Sequence, residues 1–87
     1  PHKCPDAIAD GTLIEFKQVS SKGKSIGRNI QNAIKDAADK SDVALVKIKA
    51  KLSKKTIESI GNGRLSQFPS LKKIIIVNNG KSYVFAR

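Results

Sequence analysis

The segment Pro5-Asp6-Ala7-Ile8-Ala9-Asp10-Gly11-Thr12-Leu13-Ile14-Glu15-Phe16-Lys17 reads as a short hairpin, and the rest of the chain has to fold around it. Asp10-Gly11 between two runs rich in apolar residues is the sequence signal for a two-residue type I′ turn, because glycine takes positive φ without a side-chain clash. The two runs are therefore expected to pair antiparallel. Side chains alternate along a strand, which puts Leu13, Glu15, Lys17 and Val19 on one face and Ile14, Phe16 and Gln18 on the other. An acid and an amine side by side on a mostly apolar strand both lose hydration there, unless they pair with each other or hold a ligand. A solvated surface ion pair is the bland explanation and is worth little to stability. A site of chemistry is the other, and Asp6, Glu15 and Lys17 are its candidates.

Outward from the hairpin, Ser20-Ser21-Lys22-Gly23-Lys24-Ser25 is a polar loop. Its composition suits a phosphate wrap or a plain connector, and it lacks the Gly-x-x-x-x-Gly-Lys pattern of a true P-loop. Ser25 is placed to cap a helix running to about Lys40, in which Ile26, Ile30, Ala33, Ile34, Ala37 and Ala38 recur at the spacing of a buried stripe. Arg28, Asn32, Lys35 and Asp39 fall on its other side. Such a face is usually just solvated, but beside the hairpin a helix N-terminus with Arg28 can hold a phosphate oxygen. Ser41-Asp42 ends this helix.

Val43 to Lys51 reads as a strand, covered on both faces at first and on one later, with Lys47, Lys49 and Lys51 pointing the same way. Lysines in such a row either track a nucleic-acid backbone or blunt a sheet edge. Ser53 caps a second, shorter helix, Leu52 staples onto Ile57, and Gly61-Asn62-Gly63 is expected to stop it. Residues 64–70 then form a loop packed by Leu65 and Phe68, with Arg64 as a further phosphate candidate. Residues 72–87 form a second hairpin about an Asn79-Gly80 type I′ turn, and its four consecutive β-branched residues, Ile74 to Val77, suggest a strand covered on both faces.

The element order is strand, strand, helix, strand, helix, strand, strand. One mixed, mainly antiparallel sheet of about five strands with two helices packed on it is the simplest α+β arrangement that buries the Ile26/Ile30/Ile34 stripe. At 87 residues the chain is a single domain spanning 1–87, too small for a cleft between two domains, and its abrupt start at Pro1 suggests a fragment of something longer. Lys and Arg number 17 against 7 acids, a formal charge of +10, which repels itself and points to a polyanionic partner, nucleic acid first. The cations are spread along strands and helices instead of forming one basic amphipathic helix, and no apolar run is long enough to span a bilayer, so no stable membrane association is expected. Cys4 is the single cysteine, which excludes an intrachain disulfide, and His2-Lys3-Cys4 is not a zinc-finger spacing.

Pro5-Asp6, Gly11, Glu15-Phe16-Lys17, the helix with Ile26, Arg28-Asn29 and Ile30, the strand Asp42 to Val46, Leu52-Ser53, and the run Leu71 to Lys81 together resemble the C-terminal nuclease domains of contact-dependent growth-inhibition toxins and related polymorphic bacterial toxins. The resemblance spans nearly the whole chain, and the order of elements carries it more than any one short motif. It implies a small basic ribonuclease, most often a tRNase. Such a domain is exported as part of a larger bacterial surface protein, acts in the cytoplasm of a target cell, and is neutralised by a cognate immunity protein, here expected to be acidic.

Two nuclease folds within that group imply different chemistry. In the barnase/EndoU/colicin-like RNase fold, generally metal-independent, Lys17, Arg28 and His2 with a nearby hydroxyl would promote attack by the ribose 2′-OH. In the PD-(D/E)XK restriction-endonuclease-like fold, Asp6, Glu15 and Lys17 match the signature. The carboxylates would then hold a divalent metal, Mg or Zn, that activates water for cleavage of RNA or DNA. The small size and few carboxylates favour the first, with no metal, and the absence of a helix before the first strand departs from the second. Lys22, Lys24, Arg28, Asn32, Lys47, Lys49 and Arg64 are the expected nucleic-acid contacts in either case. A non-catalytic basic binding module is the reading from a different class, since the charge alone would suffice for it. Few aromatic residues argue against a base-stacking platform.

Overall fold

A strand that leaves a sheet through a helix and returns beside its own starting point must return parallel, and two helices in this chain impose that twice. The computed structural model describes residues 7–9, 12–20 and 26–86. Their elements run β1 (Ala7–Ala9), β2 (Thr12–Val19), α1 (Ile26–Lys40), β3 (Val43–Ile48), α2 (Lys54–Gln67), β4 (Lys73–Asn78) and β5 (Lys81–Ala86), in the expected order. The five strands form one sheet in sequential order. β1 with β2 and β4 with β5 are antiparallel, whereas β2 with β3 and β3 with β4 are parallel. The fold is α+β with a mixed sheet, but the sheet is half parallel, not mainly antiparallel. The Asp10-Gly11 turn, the Ser25 cap, His2, Asp6, Lys22 and Lys24 lie outside the described residues.

Both crossovers advance across the sheet in the same direction, so both helices cover the same face. Ile30, Ile34 and Ala37 of α1 and Ile57 and Leu65 of α2 join Val19, Ala44, Val46, Ile48, Ile74, Ile76 and Phe85 in one buried cluster. Each fully buried Ile contributes about 1.5–3 kcal/mol of transfer free energy. Strand register carries this face across the sheet, with Glu15 beside Ala44, Lys17 beside Val46 and Val19 beside Ile48. The opposite face holds a row Phe16, Leu45, Ile75 and Val84, of which Phe16 is 42% and Val84 59% exposed. Ile75 and Val77 are only half-buried, so the β-branched run of β4 is covered on one face and not on two. Among the described residues no helix is long and apolar enough to cross a membrane.

Local chemistry sets the ends of the elements. Ser53 caps α2, its Oγ accepting from the Thr56 N–H at 3.2 Å, and Asn79 and Gly80 both have positive φ, 52° and 75°, as a type I′ turn requires. Gly61-Asn62-Gly63 does not stop α2, which continues to Gln67 with Phe68 as its cap. Arg64 and Leu65 therefore sit on helix, not loop. Two helical glycines cost about 1 kcal/mol each relative to alanine. Gly61 is required nonetheless, because a Cβ there would run into the Phe85 ring of β5. Packing of α2 on the sheet overrides the local signal. β3 ends at Ile48, so Lys49 and Lys51 leave the strand and the expected three-lysine row is not formed.

Candidate functional site

On β2 the period-two alternation does what the residue pattern predicts. Glu15 and Lys17 share the helix-covered face, and Glu15 is only 4% exposed. Because α1 runs back against β2, its last turn lies over the early part of the strand and brings in Lys40. Lys17 Nζ stands 3.4 Å and Lys40 Nζ 3.5 Å from Glu15 Oε2. The two lysine side chains keep 24% and 29% of their exposure, so the cations reach solvent while the carboxylate does not.

The other carboxylate oxygen, Oε1, is buried and accepts no hydrogen bond from the described residues. The remaining buried polar groups of the core behave differently. Asn78 Nδ2 donates to the Ile48 and Ala50 carbonyls at 2.9 and 2.6 Å, and its Oδ1 accepts from the Leu52 N–H at 3.2 Å, which clamps the β3–α2 connection to β4. Ser41 Oγ lies 2.8 Å from the Ala37 carbonyl and 3.0 Å from that of Val43. Those two are satisfied structural groups, and Glu15 is not. An unsatisfied buried acceptor costs about 1–3 kcal/mol, more when charged. Contacts of 3.4–3.5 Å to a single oxygen are too long to offset the desolvation of a carboxylate. As a stabilising ion pair the arrangement is poor, and a buried group left unsatisfied in this way calls for an explanation in function.

Toward the end of β2 a cavity of about 310 Å³ opens between the strand and α1. Lys17, Val19 and Ser20 line it from the strand side, with Gln18 at the edge. Asn29, Asn32, Ala33 and Asp36 line it from the helix. The Leu13 and Val19 carbonyls accept from the Asp42 and Lys49 N–H groups, so odd positions of β2 turn their main chain to β3. The cavity therefore joins a lysine, side-chain amides and a carboxylate.

Of the sequence-derived candidates, Glu15 and Lys17 are paired, and Lys17 shares the cavity lining with Asn32. Arg28 is exposed on α1 and does not line the cavity. Lys47 is exposed on the opposite sheet face, Lys49 is exposed just beyond β3, and Arg64 on α2 donates to Gln67 Oε1. His2, Asp6, Lys22 and Lys24 are outside the described residues. Lys40, Asn29 and Asp36 were not expected at the site. The available signal was helical spacing from Asn32, three residues back to Asn29 and four on to Asp36. No group of three metal-ligating side chains occurs among the described residues. Compared with family models, curated proteins and solved structures, the chain matches none of them.

Proposed function

We propose that this chain is a ribonuclease domain of the bacterial toxin kind, cleaving tRNA, with Glu15 and Lys17 at its centre and an acidic immunity protein as its natural inhibitor. The observation that carries this reading is the buried Glu15 carboxylate, one oxygen held by two lysines and the other without a partner among the described residues. A non-catalytic basic module needs the +10 charge but has no use for that costly oxygen.

Of the two nuclease folds, the half-parallel sheet supports the PD-(D/E)XK-like one, in which Asp6 and Glu15 would hold a divalent cation. Glu15 Oε1 fits as one hard oxygen ligand. When bound, the cation would supply an activated water and neutralise phosphate charge. The chain's own residues do the rest. Lys17, reaching solvent in the cavity wall, attracts the phosphodiester and stabilises the negative charge that grows on its oxygens in the transition state. Lys40, paired with the same Oε2 as Lys17, helps hold the Glu15 carboxylate in place. Inducing the wild-type domain and Glu15→Gln in bacteria, with total RNA followed on gels, tests the reading. tRNA fragments are expected from the wild type alone, and equal fragmentation by both would remove Glu15 from the centre.

A further inference from the structure

We infer that the C-terminal end of the parallel strands is a docking surface for the phosphodiester backbone of RNA, formed by Lys49, Lys51, Lys54, Lys55 and Lys81. The inference deepens the nuclease reading and rests on it for naming RNA as the polyanion, though the binding can be measured alone. Register brings these residues to one end. Ile48, the last residue of β3, pairs with Asn78 of β4, and Asn78 pairs with Lys81 of β5. The Asn78 side chain then holds the segment that leaves β3, through the Ala50 carbonyl and the Leu52 N–H, so Lys49 and Lys51 stay beside the β4–β5 turn. α2 starts directly after that segment, with Lys54 and Lys55. All five lysines are exposed.

Their placement is unfavourable for folding. They repel one another, and Lys54 and Lys55 stand in the first turn of α2, which holds no acid and where the helix dipole disfavours a cation. Ser53 already caps that helix, so the lysines are not needed to start it. The ion pairs among the described residues all go to Glu15, which leaves none of the five neutralised by a described carboxylate. Of the described acids only Glu58, one turn further along α2, lies toward this end. Glu15 is within β2, Asp36 and Asp39 fall in the second half of α1, and Asp42 precedes β3. An anion from outside relieves both penalties.

Composition and spacing specify that anion. Protein interfaces are depleted in lysine and built around an apolar centre, whereas the exposed large apolar side chains here, Phe16 and Val84, are on the open sheet face. From β3 to β5 is two strand spacings, about 10 Å, so the lysines cover a length of charged backbone rather than a single phosphate. No aromatic residue belongs to segments 48–55 or 78–81, so the contact is with phosphates and not by base stacking. Val19 of β2 pairs with Ile48 at the same end, and Ser20 after it lines the cavity with Lys17, so a docked strand leads toward the Glu15 site.

The test measures binding of end-labelled, purified tRNA by fluorescence anisotropy in chelating buffer over a salt series. One variant combines Lys51→Ala, Lys54→Ala and Lys55→Ala, and a second with the same loss of charge combines Lys35→Ala, Lys72→Ala and Lys73→Ala. The first should bind about tenfold or more weakly at about 0.15 M salt, with its slope of log affinity against log salt reduced by about two to three, and the second should keep a slope within about one of wild type. In the wild type, saturating tRNA should protect Lys51, Lys54 and Lys55 from acetylation and leave Lys35 and Lys72 reactive, which reads the surface without relying on a variant's fold. Wild-type binding by the first variant, equal weakening by both, or protection confined to other lysines would overturn the proposal. Cleavage of tRNA with added magnesium is scored separately. Cleavage with the footprint elsewhere refutes the surface alone, whereas the footprint without cleavage upholds the surface and refutes the nuclease.

Discussion

Replacing Glu15 by Gln separates a structural carboxylate from a functional one. Were Glu15 a core ion pair on which the fold depends, breaking it would cost about 3–5 kcal/mol, because buried partners would be left uncompensated. The geometry predicts otherwise. The partners that remain, Lys17 and Lys40, are about a quarter exposed and can return to water. The change also removes a buried charged oxygen that has no partner among the described residues, relieving a penalty of about 1–3 kcal/mol. These terms nearly cancel, and Glu15→Gln should lie within about 1 kcal/mol of wild type, a shift of at most about 8 °C in Tm for a domain of this size. RNA cleavage, in contrast, should fall by at least about 100-fold. Urea denaturation followed by circular dichroism, with cleavage measured on the same samples, reads both. A loss above about 3 kcal/mol with full activity per folded molecule would refute the reasoning.

Lys17→Ala should lower cleavage by about 100- to 1000-fold at unchanged fold, the cost of one charge-stabilising donor; near-normal single-turnover rates would place the charge stabilisation elsewhere. Asn78→Ala leaves three main-chain groups unpaired and should cost about 2–4 kcal/mol with no change in activity per folded molecule, read from denaturation midpoints and cleavage rates. Gly61→Ala should destabilise, since overpacking against Phe85 costs about 1–3 kcal/mol and exceeds the helix-propensity gain, while Gly63→Ala, with open space around it, should stabilise by roughly 0.5–1 kcal/mol. Thermal melts of the two variants should therefore move in opposite directions. Capture by the acidic immunity protein should slow steeply with added salt in stopped-flow measurements, and a salt-independent rate would count against electrostatic attraction.

What was legible in the residues was what short-range chemistry determines. Period-two alternation put Glu15 and Lys17 on one face, Ser53 announced its helix, and Asn79-Gly80 its turn. The misreadings arose where a distant partner decides. Gly61 looks like a helix stop until Phe85, more than twenty residues on, is seen pressing against it. The run Ile74 to Val77 suggested cover on both faces, but β-branched residues also suit a sheet with one face open. The parallel pairings were implied by the intervening helices, and the overall antiparallel expectation gave them too little weight. Lys40 escaped notice because its pairing with Glu15 spans 25 positions and depends on α1 running back along β2. Asp36 drew no notice as an ordinary helix-surface acid, and only the cavity groups it with Lys17 and Asn32.

The most direct test of the central claim is cleavage of purified tRNA by the purified wild-type domain, with added magnesium or zinc and again after chelation, beside Glu15→Gln in the same buffers. The account predicts discrete fragments from the wild type with metal, none after chelation, and none from the variant under any condition. Intact tRNA that the wild-type domain binds tightly in every buffer would contradict it and leave a basic binding module in its place.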